Sequence, residues 1–309
     1  MKVLVTGGAG FIGSHIAAHF LSQGAEVVVL DSFRSGSRRN LEELPGARLV
    51  EASVTDPGAV LSAARGADYV FHLAAMVSVP ESLEKPEECV DINVVGTLNV
   101  LRAARSHGCR KVVLSSSAAV YGDDPELPKR ESMRPCPRTP YGITKLDGEY
   151  YLEMARTEWG VPTVSLRYFN VYGPRQDPRS QYAAAIPTFA SRALKGEDVS
   201  IYGDGLQTRD FIYVRDVVAA NVLAATNSAM WGTFNVAGGK AVTILELARE
   251  IVRRVGSPSR ILHGPERPGD IRHSVADVGR IRGFGFEPEI ALREGLAATL
   301  DFFASAVRS

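Results

Sequence analysis

A glycine run close to the start of the chain constrains its fold more than any other feature. Lys2-Val3-Leu4-Val5-Thr6 reads as a short apolar strand, and Gly7-Gly8-Ala9-Gly10-Phe11-Ile12-Gly13 follows at once and opens a helical pattern. A strand that turns on glycine straight into a helix begins a βαβ unit, which requires a parallel neighbour. Gly7 permits the tight turn, Gly10 lets a pyrophosphate approach the backbone, and Gly13 lets the helix lie close on the strand. The helix N-terminus then offers unpaired N–H groups and the positive end of its dipole to phosphate. Asp31 stands 18 positions beyond Gly13, at the end of the second strand pattern. A carboxylate there accepts a bond from a ribose 2′-hydroxyl and repels a 2′-phosphate, which favours NAD over NADP. Arg34, Arg38 and Arg39 follow, and read as a solvated basic loop or a pyrophosphate contact.

The alternation continues through the first half. Strand patterns at 2–6, 26–30, 47–51, 69–73, 111–116 and 162–168 are separated by helical patterns at 11–23, 57–65, 86–107 and 140–159. Strands joined by crossover helices predict an α/β fold, a Rossmann-type doubly wound parallel sheet that binds ligands at the carboxyl ends of its strands. After about Asn170 the rhythm breaks at Gly173-Pro174-Arg175-Gln176-Asp177-Pro178-Arg179, a loop that leaves the sheet. Helical patterns at 186–195, 214–226, 243–255 and 290–306 follow, with one strand pattern at 232–236. The expected division is a dinucleotide-binding domain over 1–170, with 213–238 returning to it, and a smaller C-terminal α/β substrate domain over 171–309.

Composition narrows the function. Lysine and arginine total 35 and so do aspartate and glutamate, so no net charge is available to hold nucleic acid. No apolar run reaches the roughly 18 residues of a membrane span, and no secretory signal pattern opens the sequence. Cys89, Cys109 and Cys136 lack metal-binding spacing, which fits a reducing compartment; the expected location is the cytoplasm. His15 and His19 share a helix face, but no acidic third ligand accompanies them, so no metal is expected. His72, in an apolar run, reads as a packed core histidine.

Tyr141-Gly142-Ile143-Thr144-Lys145 opens a helical stretch, so that a phenol and an ammonium share one face at i, i+4. An unperturbed phenol, with a pKa of about 10, is a poor base at neutral pH, and a neighbouring cation lowers it. A phenolate tuned by Lys145 and by the positive nicotinamide ring would suit removal of an alcohol proton during hydride transfer. Ser117, 24 residues upstream at a strand's carboxyl end, adds a hydroxyl able to bond the reacting oxygen.

Together these features resemble the extended short-chain dehydrogenase/reductase family, and within it the nucleotide-sugar 4-epimerases. The resemblance spans nearly the whole chain, through His72-Leu73-Ala74-Ala75, Asn93-Val94-Val95-Gly96-Thr97, Ser115-Ser116-Ser117-Ala118-Ala119-Val120-Tyr121-Gly122, Leu166-Arg167-Tyr168-Phe169-Asn170-Val171-Tyr172-Gly173-Pro174-Arg175, Thr208-Arg209-Asp210-Phe211-Ile212-Tyr213 and Arg267-Pro268-Gly269-Asp270-Ile271-Arg272-His273-Ser274. It implies a catalytic trio of Ser117, Tyr141 and Lys145. Phe11 and Ile12 would lie over the pyrophosphate of NAD, Ser53 and Val54 would meet the adenine, and Leu73, Ala74 and Ala75 would line the central part. Asn93 would be the family's buried asparagine and Phe169 would contact the nicotinamide, while Ser32, Ser35, Gly36 and Ser115 would also touch the cofactor. Asn170, Ala184, Arg209, Arg267, Asp270 and Ser274 would hold a UDP-sugar, with arginine giving bidentate bonds to the diphosphate. A homodimer through the helices at 86–107 and 140–159 is implied as well. The implied reaction removes the sugar 4-hydroxyl proton to Tyr141 and the C4 hydride to NAD, turns the tethered 4-keto sugar over, and returns both.

Ala118 and Ala119 after Ser117 cannot move a proton, which disfavours dehydration, and the Glu usual in UDP-glucuronate decarboxylases is absent there. Ser274 is small where strict UDP-glucose/UDP-galactose enzymes are bulky, which leaves room for UDP-GlcNAc/UDP-GalNAc. Val77 acts against this by narrowing the site. Ser53 stands where the family usually has Asp, which weakens the adenine contact. Alternatives are a UDP-glucuronate 4-epimerase or another nucleotide-sugar epimerase and, outside enzymes, an NAD-binding regulator on the same fold.

Overall fold

The computed structural model describes residues 1–177, 185–266 and 271–308. Its strands are β1 (Lys2–Thr6), β2 (Glu26–Asp31), β3 (Ala47–Glu51), β4 (Tyr69–His72), β5 (Lys111–Ser117), β6 (Thr163–Tyr168), β7 (Asn170–Tyr172), β8 (Val199–Tyr202), β9 (Thr208–Tyr213), β10 (Gly232–Val236), β11 (Ala241–Thr243) and β12 (Ile261–Gly264). The helices are α1 (Phe11–Ser22), α2 (Arg39–Glu42), α3 (Pro57–Ala63), α4 (Val79–Glu84), α5 (Pro86–Val90), α6 (Gly96–His107), α7 (Pro140–Glu158), α8 (Ala185–Leu194), α9 (Val214–Thr226), α10 (Ile244–Val255), α11 (Gly279–Arg282) and α12 (Leu292–Arg308).

Seven strands form one parallel sheet in the order β10-β6-β5-β4-β1-β2-β3. Val27, Val28, Val29 and Leu30 are all fully buried, as expected of a strand covered on both faces. Alternate residues serve two cores. Val3, Val5, Val27 and Val29 pack with Ile16 and Phe20 of α1 and Val217 and Ala224 of α9. Leu4, Val28, Val70 and Leu114 pack with Val60 of α3, Leu101 of α6 and Leu152 of α7. The sheet is therefore doubly wound. Helix starts are encoded locally: the Asp56 carboxylate caps α3, the Thr139 hydroxyl caps α7 ahead of Pro140, and Thr243 with Glu246 forms a capping box on α10.

The remaining strands make two small sheets, β11-β9-β7 and β12-β8, around a third core that includes Phe189, Ile201, Leu247 and Leu296. The sequence pattern showed none of β7, β8, β9, β11 or β12. The expected single helix over 86–107 also needs correcting. Residues Asp91–Val95 form a π-turn between α5 and α6. Such turns are frequent at functional sites.

Candidate active site

The turn between β1 and α1 is shaped by backbone crowding. Gly7 has φ +70°, and a Cβ there would sit 2.7 Å from the Ala74 nitrogen; one at Gly13 would sit 2.2 Å from the Gly7 oxygen. Both positions therefore exclude any side chain. No side chain caps α1, whose N-cap is Gly10, and no acidic residue stands in its first turn. An uncapped helix end beside a glycine turn fits the pyrophosphate of a dinucleotide.

Asp31 has a second task. Its buried carboxylate accepts the Ala9 N–H at 2.9 Å and the Phe33 N–H at 2.7 Å, so it ties the glycine turn to the loop after β2. Burial pushes its pKa up, against those two bonds. Each oxygen keeps a lone pair for a ribose hydroxyl. Ser32 and Ser35 are exposed on the same loop, and Gly36 comes so near that a Cβ would lie 3.0 Å from Asp31 Oδ1. The basic loop is not free. Arg34 pairs with Glu81 and Glu88, and Arg38 pairs with Glu51 at 2.6 Å and lies 4.3 Å over the Phe33 ring.

Ser53 is half-buried, and its hydroxyl already accepts from the Thr55 N–H and hydroxyl, at 3.2 and 2.8 Å. Both lone pairs are used, so accepting a bond from an adenine amine would displace Thr55. Val54 beside it is buried against Gly96. Leu73, Ala74 and Ala75 are half-buried beyond β4, and the Leu73 N–H is held by the Thr6 oxygen. Asn93, the expected buried asparagine, turns its amide into the protein. It accepts the Met76 N–H at 2.7 Å and donates to the Met76 oxygen, Thr144 Oγ1 and Cys89 Sγ. Its place is a staple between the segment after β4 and helix α7. His72 lies in the core, between Thr6 Oγ1 at 2.7 Å and Thr97 Oγ1 at 3.0 Å, and burial lowers its pKa to about 3.

The catalytic candidates converge where β5 ends. Ser117 closes the strand, Tyr141 stands in the first turn of α7, and the Ser117 side chain lies close enough to the phenol to draw its pKa down. Lys145 is buried one turn on, with Nζ 2.7 Å from the Ser115 oxygen and 5.8 Å from the centre of the Tyr141 ring. The expected electrostatics are corrected here. Burial pushes the phenol above its ordinary pKa, with Ser117 pulling the other way, while burial lowers Lys145 to about 8. Desolvation is the largest influence on both groups.

Beneath them runs a network that the sequence pattern did not reveal. Glu149, one further turn along α7, is gripped by Arg167 through two bonds of 2.9 and 2.7 Å and accepts the Ser116 hydroxyl at 2.5 Å. All three are buried, and Arg167 also lies 4.8 Å over the Tyr121 ring. This ties α7 to the end of β5, and so sets Tyr141 and Lys145 against Ser115 and Ser117.

Phe169 is buried after β6, 6.3 Å from Tyr121. Asn170 pairs in register with Phe211 on β9, so Asn170, Phe211 and Arg209 share the half-open face of the three-stranded sheet. Asp210, on the opposite face, is buried and accepts the Gly239 and Ala276 N–H groups, and burial raises its pKa to about 6. Arg209 donates to the oxygens of Thr208 and Ile271, and Ser274 is half-buried with its N–H on the Thr208 oxygen. Ala184, Arg267 and Asp270 lie outside the described residues. Among the described residues no cluster of His, Cys, Asp or Glu could hold a metal, and no helix is long and apolar enough to cross a membrane.

Comparison with known proteins gives consistent matches. A family model described as the NAD dependent epimerase/dehydratase family matches residues 3–237. UDP-glucose 4-epimerase of Mycolicibacterium smegmatis is 40% identical over 98% of both chains. The crystal structure of UDP-glucose 4-epimerase with UDP-glucose from Thermotoga maritima has TM-score 0.94 at 37% identity, covering 99% of this chain and 100% of that one. The UDP-N-acetylglucosamine 4-epimerase from Methanobrevibacter ruminantium, in complex with UDP-N-acetylmuramic acid, has TM-score 0.95 at 40% identity, covering 99% and 98%.

Proposed function

The chain belongs to the NAD dependent epimerase/dehydratase family, and from that premise we propose that it is an NAD-dependent UDP-sugar 4-epimerase, an isomerase, that accepts both the UDP-glucose/UDP-galactose and the UDP-GlcNAc/UDP-GalNAc pairs. The observation that carries this reading is the meeting of Ser117, Tyr141 and Lys145 at the end of β5, on the same sheet edge as the glycine turn.

Bound NAD supplies a hydride acceptor that gives the hydride back. The chain's own groups move the proton. Ser117 orients the 4-oxygen of the sugar, and Tyr141, once ionised, takes the hydroxyl proton and returns it to the same oxygen after the keto sugar has turned over. Lys145 is cationic at neutral pH and offsets the charge that appears when Tyr141 gives up its proton. Ala118 and Ala119 follow Ser117 in a short 3-10 turn and offer no second acid, so a keto sugar held here is reduced rather than dehydrated. Asn170, Arg209 and Ser274 on and beside β9 would grip the nucleotide diphosphate and the sugar, joined by Ala184, Arg267 and Asp270. A tethered substrate keeps the intermediate from escaping.

Room for an N-acetyl group rests on the small side chain of Ser274, against which stands exposed Val77. A homodimer through α6 and α7 belongs to the same reading; Val95, Ile143 and Tyr150 are exposed along these helices and the π-turn before them. The test is incubation with UDP-glucose, UDP-GlcNAc and UDP-glucuronate, with the products resolved by chromatography. Conversion of the first two is expected. Conversion of UDP-glucuronate alone would replace this reading. Ser274→Tyr should abolish only the N-acetylated reaction, and equal loss or retention of both would remove the pocket argument.

A further inference from the structure

Arg34 lies three residues beyond Asp31, on the loop that leaves β2. Its guanidinium reaches Glu81 on α4 at 2.6 Å and Glu88 on α5, and Glu81 is also 3.7 Å from Lys85. The sheet order is β4-β1-β2, and α4 and α5 belong to the segment that follows β4. A bridge from the loop after β2 to the helices after β4 therefore spans the end of β1, where the glycine turn lies.

The bridge also closes a ring of contacts. From Asp31 the chain runs to Arg34, across the ion pairs to Glu88, and along α5, the π-turn and α6 to Asn99. Asn99 Nδ2 donates to the Val54 oxygen at 3.0 Å, and the Ala52 N–H returns to the Asp31 oxygen at 3.1 Å. Asp31, Ser53 and Val54, the residues assigned to the adenosine half of NAD, all lie on this ring. Every other link in it is backbone or a buried hydrogen bond. The Arg34 pairs are partly exposed, with the three side chains 30%, 35% and 42% accessible. The loop is built to hold Arg34 in place. Phe33 adopts φ +57°, which a non-glycine residue rarely does, and is kept there by its N–H on Asp31 and by Arg38 over its ring.

We propose that Arg34, with Glu81 and Glu88, is a clasp that retains NAD: the ring around the adenosine site opens only at these ion pairs, so their breakage gates cofactor exchange. This rests on the reading of the site as an NAD site. It makes Arg34 a retaining residue that need not touch the cofactor, and it excludes Arg34 from binding a 2′-phosphate while the clasp is shut.

The experiment is to load the full-length protein with NAD, dilute it rapidly, and follow release by protein fluorescence at low and high sodium chloride. Two exposed ion pairs translate into release about three- to tenfold faster for Arg34→Ala. Glu81→Gln/Glu88→Gln should match it, and the triple variant should be no faster than Arg34→Ala, since all three changes cut one link. High salt should speed release from the wild type and leave Arg34→Ala unaffected. Release from Arg34→Ala at the wild-type rate overturns the clasp, as does additive acceleration in the triple variant. A wild-type chain that takes up no NAD overturns the reading of the site, and the clasp with it.

Discussion

Lys145 Nζ donates to the Ser115 carbonyl oxygen at 2.7 Å, so the strand end that carries Ser117 also holds the cation beside Tyr141. Burial lowers this ammonium to about 8. Turnover should therefore fall as pH rises through about 8, because the cation is lost while the phenol still has to give up a proton. The pH dependence of kcat/KM measures this limb. Lys145→Met should cost about 10²-fold in kcat/KM and abolish it.

The same burial has a cost in stability. The pKa of Lys145 is below its unfolded value near 10.5, so the folded state binds fewer protons between about 8 and 10.5 and stability rises with pH across that window. At pH 7 the penalty is present in full. Lys145→Met should be more stable than the wild type there by about 2 kcal/mol, after allowing for the lost hydrogen bond. The gap should shrink towards pH 10 in urea titrations.

Removing the phenolic oxygen should separate chemistry from binding. Tyr141→Phe is expected to lower kcat by about 10³-fold or more, with NAD content after purification unchanged. Ser117→Ala, which removes only the orienting hydroxyl, should cost less. Equal losses in the two variants would assign the proton to a different group.

His72 sets an acid limit. Its folded pKa of about 3 lies below the unfolded 6.5, so the unfolded chain binds the extra proton and stability falls as pH drops below 6.5. The loss from this group reaches about 2 kcal/mol by pH 5. Urea unfolding at pH 7 and pH 5 should show it, and His72→Gln should flatten the difference.

The buried Glu149–Arg167 pair should be intolerant of single changes. Glu149→Ala leaves a buried guanidinium uncompensated and should cost about 3–5 kcal/mol, whereas Glu149→Met with Arg167→Met should cost less than either alone. Chemical unfolding of Glu149→Ala, the two single Met variants and the double variant decides this.

The large sheet was legible because its inner strands are continuous apolar runs bounded by turns, as in Val27-Val28-Val29-Leu30. The strands that were missed hide for identifiable reasons. In β8 the alternation of buried Val199 and Ile201 is masked by Tyr202, an apolar residue on the exposed side. In β9 a charged Asp210 sits mid-strand, and only the folded chain brings the Gly239 and Ala276 amides that receive it. The π-turn at Asp91–Val95 differs from α-helix in hydrogen-bond register alone, which leaves no mark on composition. At the site, spacing disclosed which groups meet, since Tyr141 and Lys145 are one helical turn apart. It could not disclose their proton affinities, because desolvation depends on what packs around them. Asn93 and Ser53 show the same limit: residue type does not say which partner a polar group takes, and the fold pairs them with Met76 and Thr55.

Ala276, Val278, Ile281 and Phe286 come late in the chain, yet they lie in the same core as β1, β2 and α1. Phe284 meets the edge of Phe234 on β10 at 5.4 Å, and the Arg280 guanidinium covers the same ring at 4.6 Å. A fragment cut after Ala237 would contain every strand of the seven-stranded sheet and still leave the flank of its last strand bare to solvent. The tail is thus a plug for the nucleotide-binding half, which cannot be exchanged between relatives without it.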